Sequence, residues 1–214
     1  MEANKYPGKL IAVEGLDGTG KTTQIRLLTN WLETSGWPTA VFKRKTSKLI
    51  SKKINEAKKA KLLSPVTYSL IHAADFAEIH YNDIVPALKA GFVVIYNKYV
   101  YTAMAKDYLR GNEKIWIEKL YDFAFVPDLT VYFKTSLEKA LENMTKEDKD
   151  LDYYDSGMDL GLASNSLQSL KAFQKQLDEQ YEKMAQKYAF KTISNFNNIQ
   201  DAQNQLRDYV KAIL

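Results

Sequence analysis

The amino-acid sequence predicts an α/β fold in three layers, a five-stranded parallel sheet with helices on both faces. Three observations carry this. Short apolar runs alternate along the chain with longer amphipathic stretches. Two runs, KLIAV at 9–13 and FVVIY at 92–96, are apolar almost throughout, as strands buried on both faces are. The first run passes at once into a glycine-rich turn and then a helical pattern, the opening of a βα unit.

Taken in order, the strand at 9–13 leads to a helix over 21–35. Ile25, Leu28 and Leu32 form its stripe, with Leu27 and Trp31 beside them; Gly36 ends it and Pro38 follows. Residues 39–42 are the second strand. A helix spans 46–61, and Pro65 opens another that reaches Ala90, with Pro86 as a kink and Gly91 as the stop. The third strand is 92–96. Helical segments at 102–109 and 113–125 precede the fourth strand, 129–133, which follows Pro127 and Asp128. After a helix at 137–144, residues 145–165 are polar, contain Gly157 and Gly161, and read as a short mobile lid. Leu167, Leu170, Phe173, Leu177, Tyr181, Met184 and Tyr188 then recur at helical steps. A fifth strand at 190–194 and a last helix complete a single domain over 1–214, with no internal repeat.

The bulk numbers are those of a soluble globule: 214 residues, 45% apolar, 26% charged. The absence of cysteine excludes disulfides, thiolate metal sites and a cysteine nucleophile. MEANKYPGKL has no secretory apolar region, and no apolar run is long enough to span a bilayer. A cytoplasmic protein without a membrane partner is the expectation. Charge is uneven. Residues 43–61 carry Lys43, Arg44, Lys45, Lys48, Lys52, Lys53, Lys58, Lys59 and Lys61 against Glu56. This run reads mainly as a solvated lysine face, and nucleic acid is not the expected partner.

The chemistry begins at Gly15-Leu16-Asp17-Gly18-Thr19-Gly20-Lys21-Thr22, which satisfies G-x-x-x-x-G-K-[ST], with Thr23 next. Glycines let backbone N–H groups turn inward around phosphate oxygens, and the helix N-terminus adds positive partial charge. Lys21 reaches the β and γ phosphates of a nucleoside triphosphate, and the Thr22 hydroxyl ligates Mg²⁺. Beside this loop, Glu14 and Asp17 bind metal waters or a sugar hydroxyl, or Glu14 simply caps the strand end. His72 and His80 share a predicted helix face without a third ligand nearby, a poor metal site. Arg110 points into a cleft or caps a helix, and Tyr153-Tyr154 stack on a base or pack the lid.

At these residues the chain resembles the thymidylate kinases. The likeness is carried by VEGLDGTGKTTQ, by Leu70-Ile71-His72-Ala73-Ala74-Asp75-Phe76 with Ile84-Val85-Pro86-Ala87-Leu88 after it, by FVVIYNKYVYT and by Pro127-Asp128-Leu129-Thr130. It covers essentially the whole chain and is nearest to a divergent, archaeal-like branch. It implies ATP and Mg²⁺ as phosphoryl donor, a nucleoside monophosphate (dTMP first) as acceptor, and a homodimer. By the same resemblance, Lys21, Lys98 and Asp17 are the catalytic set. Lys98 with Arg44 or Lys45 clamps the acceptor phosphate, and His72, Phe76 and Tyr101 line the base pocket beside Asn97 and Thr102.

The departures from the family are specific. Its Asp-Arg-Tyr stands here as Asn97-Lys98-Tyr99, which loses a metal-ordering charge and a forked guanidinium. Its Glu-Pro-Gly after the second strand is replaced by Lys43-Arg44-Lys45-Thr46. The arginine that reads the thymine edge falls at Phe76, and the stacking aromatic falls at His72. Segment 145–165 has no arginine and sets Lys146 and Lys149 against six carboxylates, from Glu147 to Asp159. An arginine finger is worth roughly 10³-fold or more in rate. Two alternatives therefore stand beside a dTMP kinase: a nucleotide-binding protein with weak transfer, and a kinase for another monophosphate. The acidic lid is expected to be mobile, and either to turn its carboxylates to water or to stay open.

Overall fold

The computed structural model describes residues 1–44, 47, 49–145, 151–194 and 198–214. Lys45, Lys146 and Lys149 lie outside the described residues. The elements are β1 (Glu2–Ala3), β2 (Lys9–Glu14), α1 (Lys21–Thr34), β3 (Thr39–Lys43), α2 (Ser51–Lys59), α3 (Pro65–Ile79), a π-helical turn (His80–Ile84), α4 (Val85–Lys89), β4 (Val93–Asn97), α5 (Val100–Leu109), α6 (Lys114–Leu120), β5 (Phe125–Val126), β6 (Leu129–Phe133), α7 (Leu137–Thr145), a short 3₁₀ turn (Met158–Leu160), α8 (Ser166–Lys187), β7 (Lys191–Ile193) and α9 (Ile199–Lys211).

Five strands form the central sheet in the order β3-β4-β2-β6-β7, every neighbouring pair parallel. Alternation along each strand divides the core into two layers. Leu10, Ala12, Val94, Tyr96 and Tyr132 face the layer packed by α3, α5 and α8. Ile11, Val13, Val93, Ile95, Val131 and Phe133 face the layer packed by α1 and α9. Each fully buried Val, Leu or Ile contributes roughly 1.5–3 kcal/mol, so the sheet is the rigid platform of the molecule.

β2 lies at the centre. From it the chain crosses through α1 to the edge strand β3, whereas β6 pairs on its other side. Strand direction outward therefore reverses at the carboxyl end of β2, which opens a crevice there. Asp128 pins the opposite end of β2: its Oδ2 accepts from Leu10 N at 2.8 Å and from Asn4 Nδ2 at 3.0 Å.

Three elements differ from the sequence reading. Helix 65–90 is broken by the π-helical turn immediately ahead of Pro86, whose missing N–H cannot continue the ladder. Helix 113–125 stops at Leu120, because Phe125 and Val126 pair with Glu2 and Ala3 in a two-stranded parallel sheet that no local pattern announces. Segment 145–165 shows a larger difference. Its described residues are docked: Tyr154 and Ser156 are each 1% exposed. Gly157, in the left-handed region, lies so close to the Phe173 ring that a Cβ there would collide with it.

Candidate functional site

The loop after β2 is shaped by close approach. A Cβ on Gly15 would run into the Phe133 carbonyl, and one on Gly18 into the Ala140 carbonyl; both glycines have positive φ. The turn ends at Gly20, also at positive φ, and Gln24 N donates to Gly20 O at 3.2 Å as the first helical bond. The amides of Lys21, Thr22 and Thr23 thus have no intrahelical acceptor and face the crevice. A cleft of about 310 Å³ lies there, lined by Asp17, Gly18, Gly20, Lys21, Thr22 and Thr23, with Asn97, Lys98 and Asn143 opposite. Asn143 Nδ2 donates to Gly18 O at 2.8 Å and ties α7 to the loop.

Lys21 folds back on its own turn, donating to the Leu16 carbonyl and, at 3.0 Å, to Thr19 Oγ1. Burial and the nearby Lys98 push its pKa down to about 7, against the pull of Asp17 and Glu14. A phosphate in the cleft would reverse that shift, because it supplies the anion that the site lacks. Lys98 follows β4 at φ 64°, a left-handed conformation uncommon outside glycine. Its ammonium lies 2.5 Å from Asp17 Oδ1. Burial alone would raise the Asp17 pKa, but Lys98, Lys21 and Lys106 together hold it below the usual carboxylate range. Asn97 stands beside them with a buried Oδ1 that has no partner among the described residues.

Glu14 is fully buried under the loop. Thr102 Oγ1 lies 2.5 Å from its Oε2 and 2.6 Å from the Tyr181 hydroxyl. Burial pushes the Glu14 carboxyl up to about 8, with Thr102, Lys21, Lys98 and Arg44 opposing.

Several expected pocket residues are placed elsewhere by packing. Thr102 is 0% exposed and braces Glu14 from within, so it does not line the cleft. Tyr101 packs on Tyr188 and Phe190 at ring distances of 5.0 and 4.8 Å, because the side chain of the residue next to Thr102 turns toward α8 rather than the crevice. Phe76 is a core ring, in contact with Tyr96, Tyr99, Tyr121 and Phe123. His72 is buried edge-on to Tyr68 at 4.4 Å. Arg44, next after β3, interacts electrostatically with Tyr68, Tyr121, Asp155 and Asp107.

In the acidic segment the described carboxylates are ion-paired, Asp152 and Asp155 while still 42% and 34% exposed. Asp155 takes Lys106 at 2.7 Å and Lys58 at 3.0 Å, and Asp152 takes Lys58 at 2.8 Å. Asp159 receives Arg110 Nε at 2.7 Å and Nη2 at 3.2 Å. Arg110 also donates to the Tyr154 carbonyl at 2.7 Å and lies 4.0 Å over the Tyr68 ring. Tyr154 thus packs the segment, its hydroxyl accepting from Leu63 N at 2.9 Å. Lys58, counted with a solvated face, is in fact 2% exposed. Sequence reasoning missed Lys58, Lys106, Asp107 and Asn143. One signal was available: Lys98, Thr102, Lys106 and Arg110 recur every four residues, one face of α5 and its approach.

A family model described as thymidylate kinase matches residues 13–206. Among curated proteins, "Probable thymidylate kinase 2" of Saccharolobus solfataricus is 37% identical over 201 residues, covering 94% of this chain and 94% of that protein. "Probable thymidylate kinase" of Pyrococcus abyssi is 36% identical over 154 residues, 66% of this chain and 75% of that protein. "Thymidylate kinase" of Thermoanaerobacter sp. is 30% identical over 149 residues, 67% of this chain and 73% of that protein.

Proposed function

The chain belongs to the thymidylate kinase family, and from that premise we propose that it moves the γ-phosphoryl group of ATP to dTMP, giving ADP and dTDP. The observation that supports this best is the pairing of two cations across one cleft, Lys21 at the start of α1 and Lys98 at the end of β4. Donor and acceptor phosphates repel each other, and a cation on each side lowers the cost of bringing them into line.

The donor's phosphates sit on the free amides of Lys21, Thr22 and Thr23, and Lys21 turns from the Leu16 carbonyl to the β and γ oxygens. Lys98 leaves Asp17 for the acceptor phosphate, which frees the Asp17 carboxylate for a sugar hydroxyl or a metal-bound water. Mg²⁺ fits the donor set: the Thr22 hydroxyl opens on the cleft, and the unpartnered Asn97 Oδ1 is a neutral oxygen beside it. When bound, the ion neutralises phosphate charge. No general base is required, since positioning and charge neutralisation supply most of the catalysis.

Residues 1–214 act as one kinase domain with 145–165 as its lid, and the protein works in the cytoplasm. No helix among the described residues is long and apolar enough to cross a membrane. We read the working form as a homodimer. Besides the family resemblance, an apolar stripe on α3 and the turn after it supports this: Val66, Leu70 and Tyr81 are 48%, 47% and 57% exposed. Light scattering on the purified chain at micromolar concentration checks it.

A second reading is slow transfer, or binding alone. It is favoured by Asn97 and Lys98 in place of Asp and Arg, and by Arg110, whose fork is held by Asp159. A coupled ADP-release assay over dTMP, dUMP, dCMP, dAMP and dGMP separates the readings. dTMP-dependent ADP release supports the kinase. ATP binding without release on any monophosphate supports the second reading.

A further inference from the structure

Buried polar atoms in folded proteins nearly always have hydrogen-bond partners. Where β3 ends, between α3, α5 and the end of α6, several do not. Arg44 Nη2, the hydroxyls of Tyr68, Tyr96 and Tyr121, and both carboxylate oxygens of Asp107 are buried without a partner among the described residues. They belong to one neighbourhood. Phe42, two residues before Arg44, is in register with Tyr96. The Phe76 ring packs against Tyr96 at 5.6 Å and Tyr121 at 6.3 Å. Ser69, next to Tyr68, bonds Asn112 just beyond α5 at 3.0 Å. The Ser69 hydroxyl lies near Asp107 but gives its proton to the Pro65 carbonyl at 3.2 Å.

Arg44 and Asp107 feel each other's charge, yet share no hydrogen bond. Opposite charges buried apart are costly unless something polar joins them. Arg44 only donates; Asp107 only accepts when ionised. Burial raises Tyr96 and Tyr121, so those two phenols stay neutral. A ring that offers one N–H flanked by carbonyl oxygens satisfies this set.

Resting on the reading of the chain as a dTMP kinase, we propose that Asp107 selects the acceptor base, its carboxylate accepting the ring N–H of a pyrimidine-2,4-dione while the Arg44 guanidinium donates to a flanking carbonyl. Phe76 fills the place where the family carries its base-reading arginine, and Arg44, just after β3, brings a guanidinium to the same neighbourhood.

The test is calorimetry of thymidine and of dTMP with the full chain; thymidine has no phosphate to titrate. Burial pushes Asp107 up to about 6, opposed by Arg44 from β3, Ser69 from α3, and Arg110 and Lys106 from α5. Lys106 and Arg110 are in turn neutralised by Asp155 and Asp159. The ionised carboxylate is the stronger acceptor for the ligand N–H, and the charge that Arg44 faces. Thymidine affinity is therefore expected to fall about tenfold from pH 7.5 to pH 5, and Asp107→Asn to remove that dependence. Arg44→Ala is expected to weaken thymidine and dTMP by the same factor, roughly tenfold or more. Three results overturn the proposal. One is flat wild-type binding. Another is a pH step of the same size that survives in Asp107→Asn. The third is an Arg44→Ala loss confined to dTMP, which would move Arg44 to the phosphate. The wild-type profile needs no variant to fold, and near-ultraviolet circular dichroism checks both variants. Failure of the wild type to bind any monophosphate is a separate outcome, which overturns the kinase reading and this one with it.

Discussion

The Lys106 ammonium lies 2.7 Å from Asp155 Oδ1, joining the interior of α5 to a segment 49 residues further along the chain. It is one rung of a ladder: Lys98 with Asp17, Thr102 with Glu14, Lys106 with Asp155, Arg110 with Asp159. Four donors at helical spacing meet acids from the end of β2 and the loop after it at one end, and from segment 151–159 at the other. Around that segment the core carries the cations and the segment carries the acids, so its described part is docked.

Removing Asp155 should therefore loosen segment 151–160. Asp155→Ala leaves Lys106 buried without its carboxylate, whereas Lys58 keeps Asp152. Loss of a fully buried partner costs about 3–5 kcal/mol. Asp155 is 34% exposed, so solvent screening lowers the expectation to roughly 1–2 kcal/mol. Urea unfolding measures the loss, and faster hydrogen exchange within 151–160 localises it. An unchanged midpoint and unchanged exchange would show that the ladder holds nothing.

Lys21→Ala should abolish useful ATP binding without unfolding the chain. It removes charge-assisted bonds to the phosphates, worth about 1.5–3 kcal/mol each, while the sheet beneath is untouched. Affinity should fall by roughly tenfold to a hundredfold or more. Equal ATP affinities for wild type and variant, by calorimetry, would sink the P-loop assignment.

Glu14 makes stability depend on pH. Its carboxyl is pushed up to about 8 in the folded chain, whereas the ordinary value is 4.5. Between those values the folded state holds a proton that the unfolded state has lost. Stability is then greatest below the unfolded value and declines as pH rises toward 8, by at most about 1.4 kcal/mol per pH unit. Lys21, pushed down to about 7, acts with opposite sign and above that pH. Urea midpoints at pH 5, 6 and 7 should fall for wild type and stay flatter for Glu14→Gln. Parallel profiles would mean that Glu14 is ionised inside the fold.

Restoring the family's pair, Asn97→Asp with Lys98→Arg, should raise turnover with dTMP by about tenfold or more. The change supplies a metal-ordering carboxylate and a forked guanidinium at the end of β4. No gain with any monophosphate would displace the acceptor phosphate from Lys98.

The strand–turn–helix around Gly15 to Thr22 was legible in the sequence because everything it needs is local: an apolar run, glycines at the close approaches, and a helix start. The strands β2, β4 and β6 were legible for the same reason, since burial on both faces writes itself into consecutive residues. The acceptor side was not. Phe76, Tyr101 and Thr102 occupy positions expected of a pocket, but which way each side chain points depends on what packs across from it, and Tyr188, Phe190 and Tyr181 come from α8 and the stretch after it, over 70 residues away in the sequence. The ion pairs of the described acidic residues were not legible, for a related reason. Its composition gave the sign of the charge, whereas its partners Lys58, Lys106 and Arg110 are distant in sequence and adjacent only once α2 and α5 have packed. Local pattern determines which elements form; the pairing of buried charges is settled by tertiary structure, because an ion's energy depends on what lies within a few ångströms of it in space.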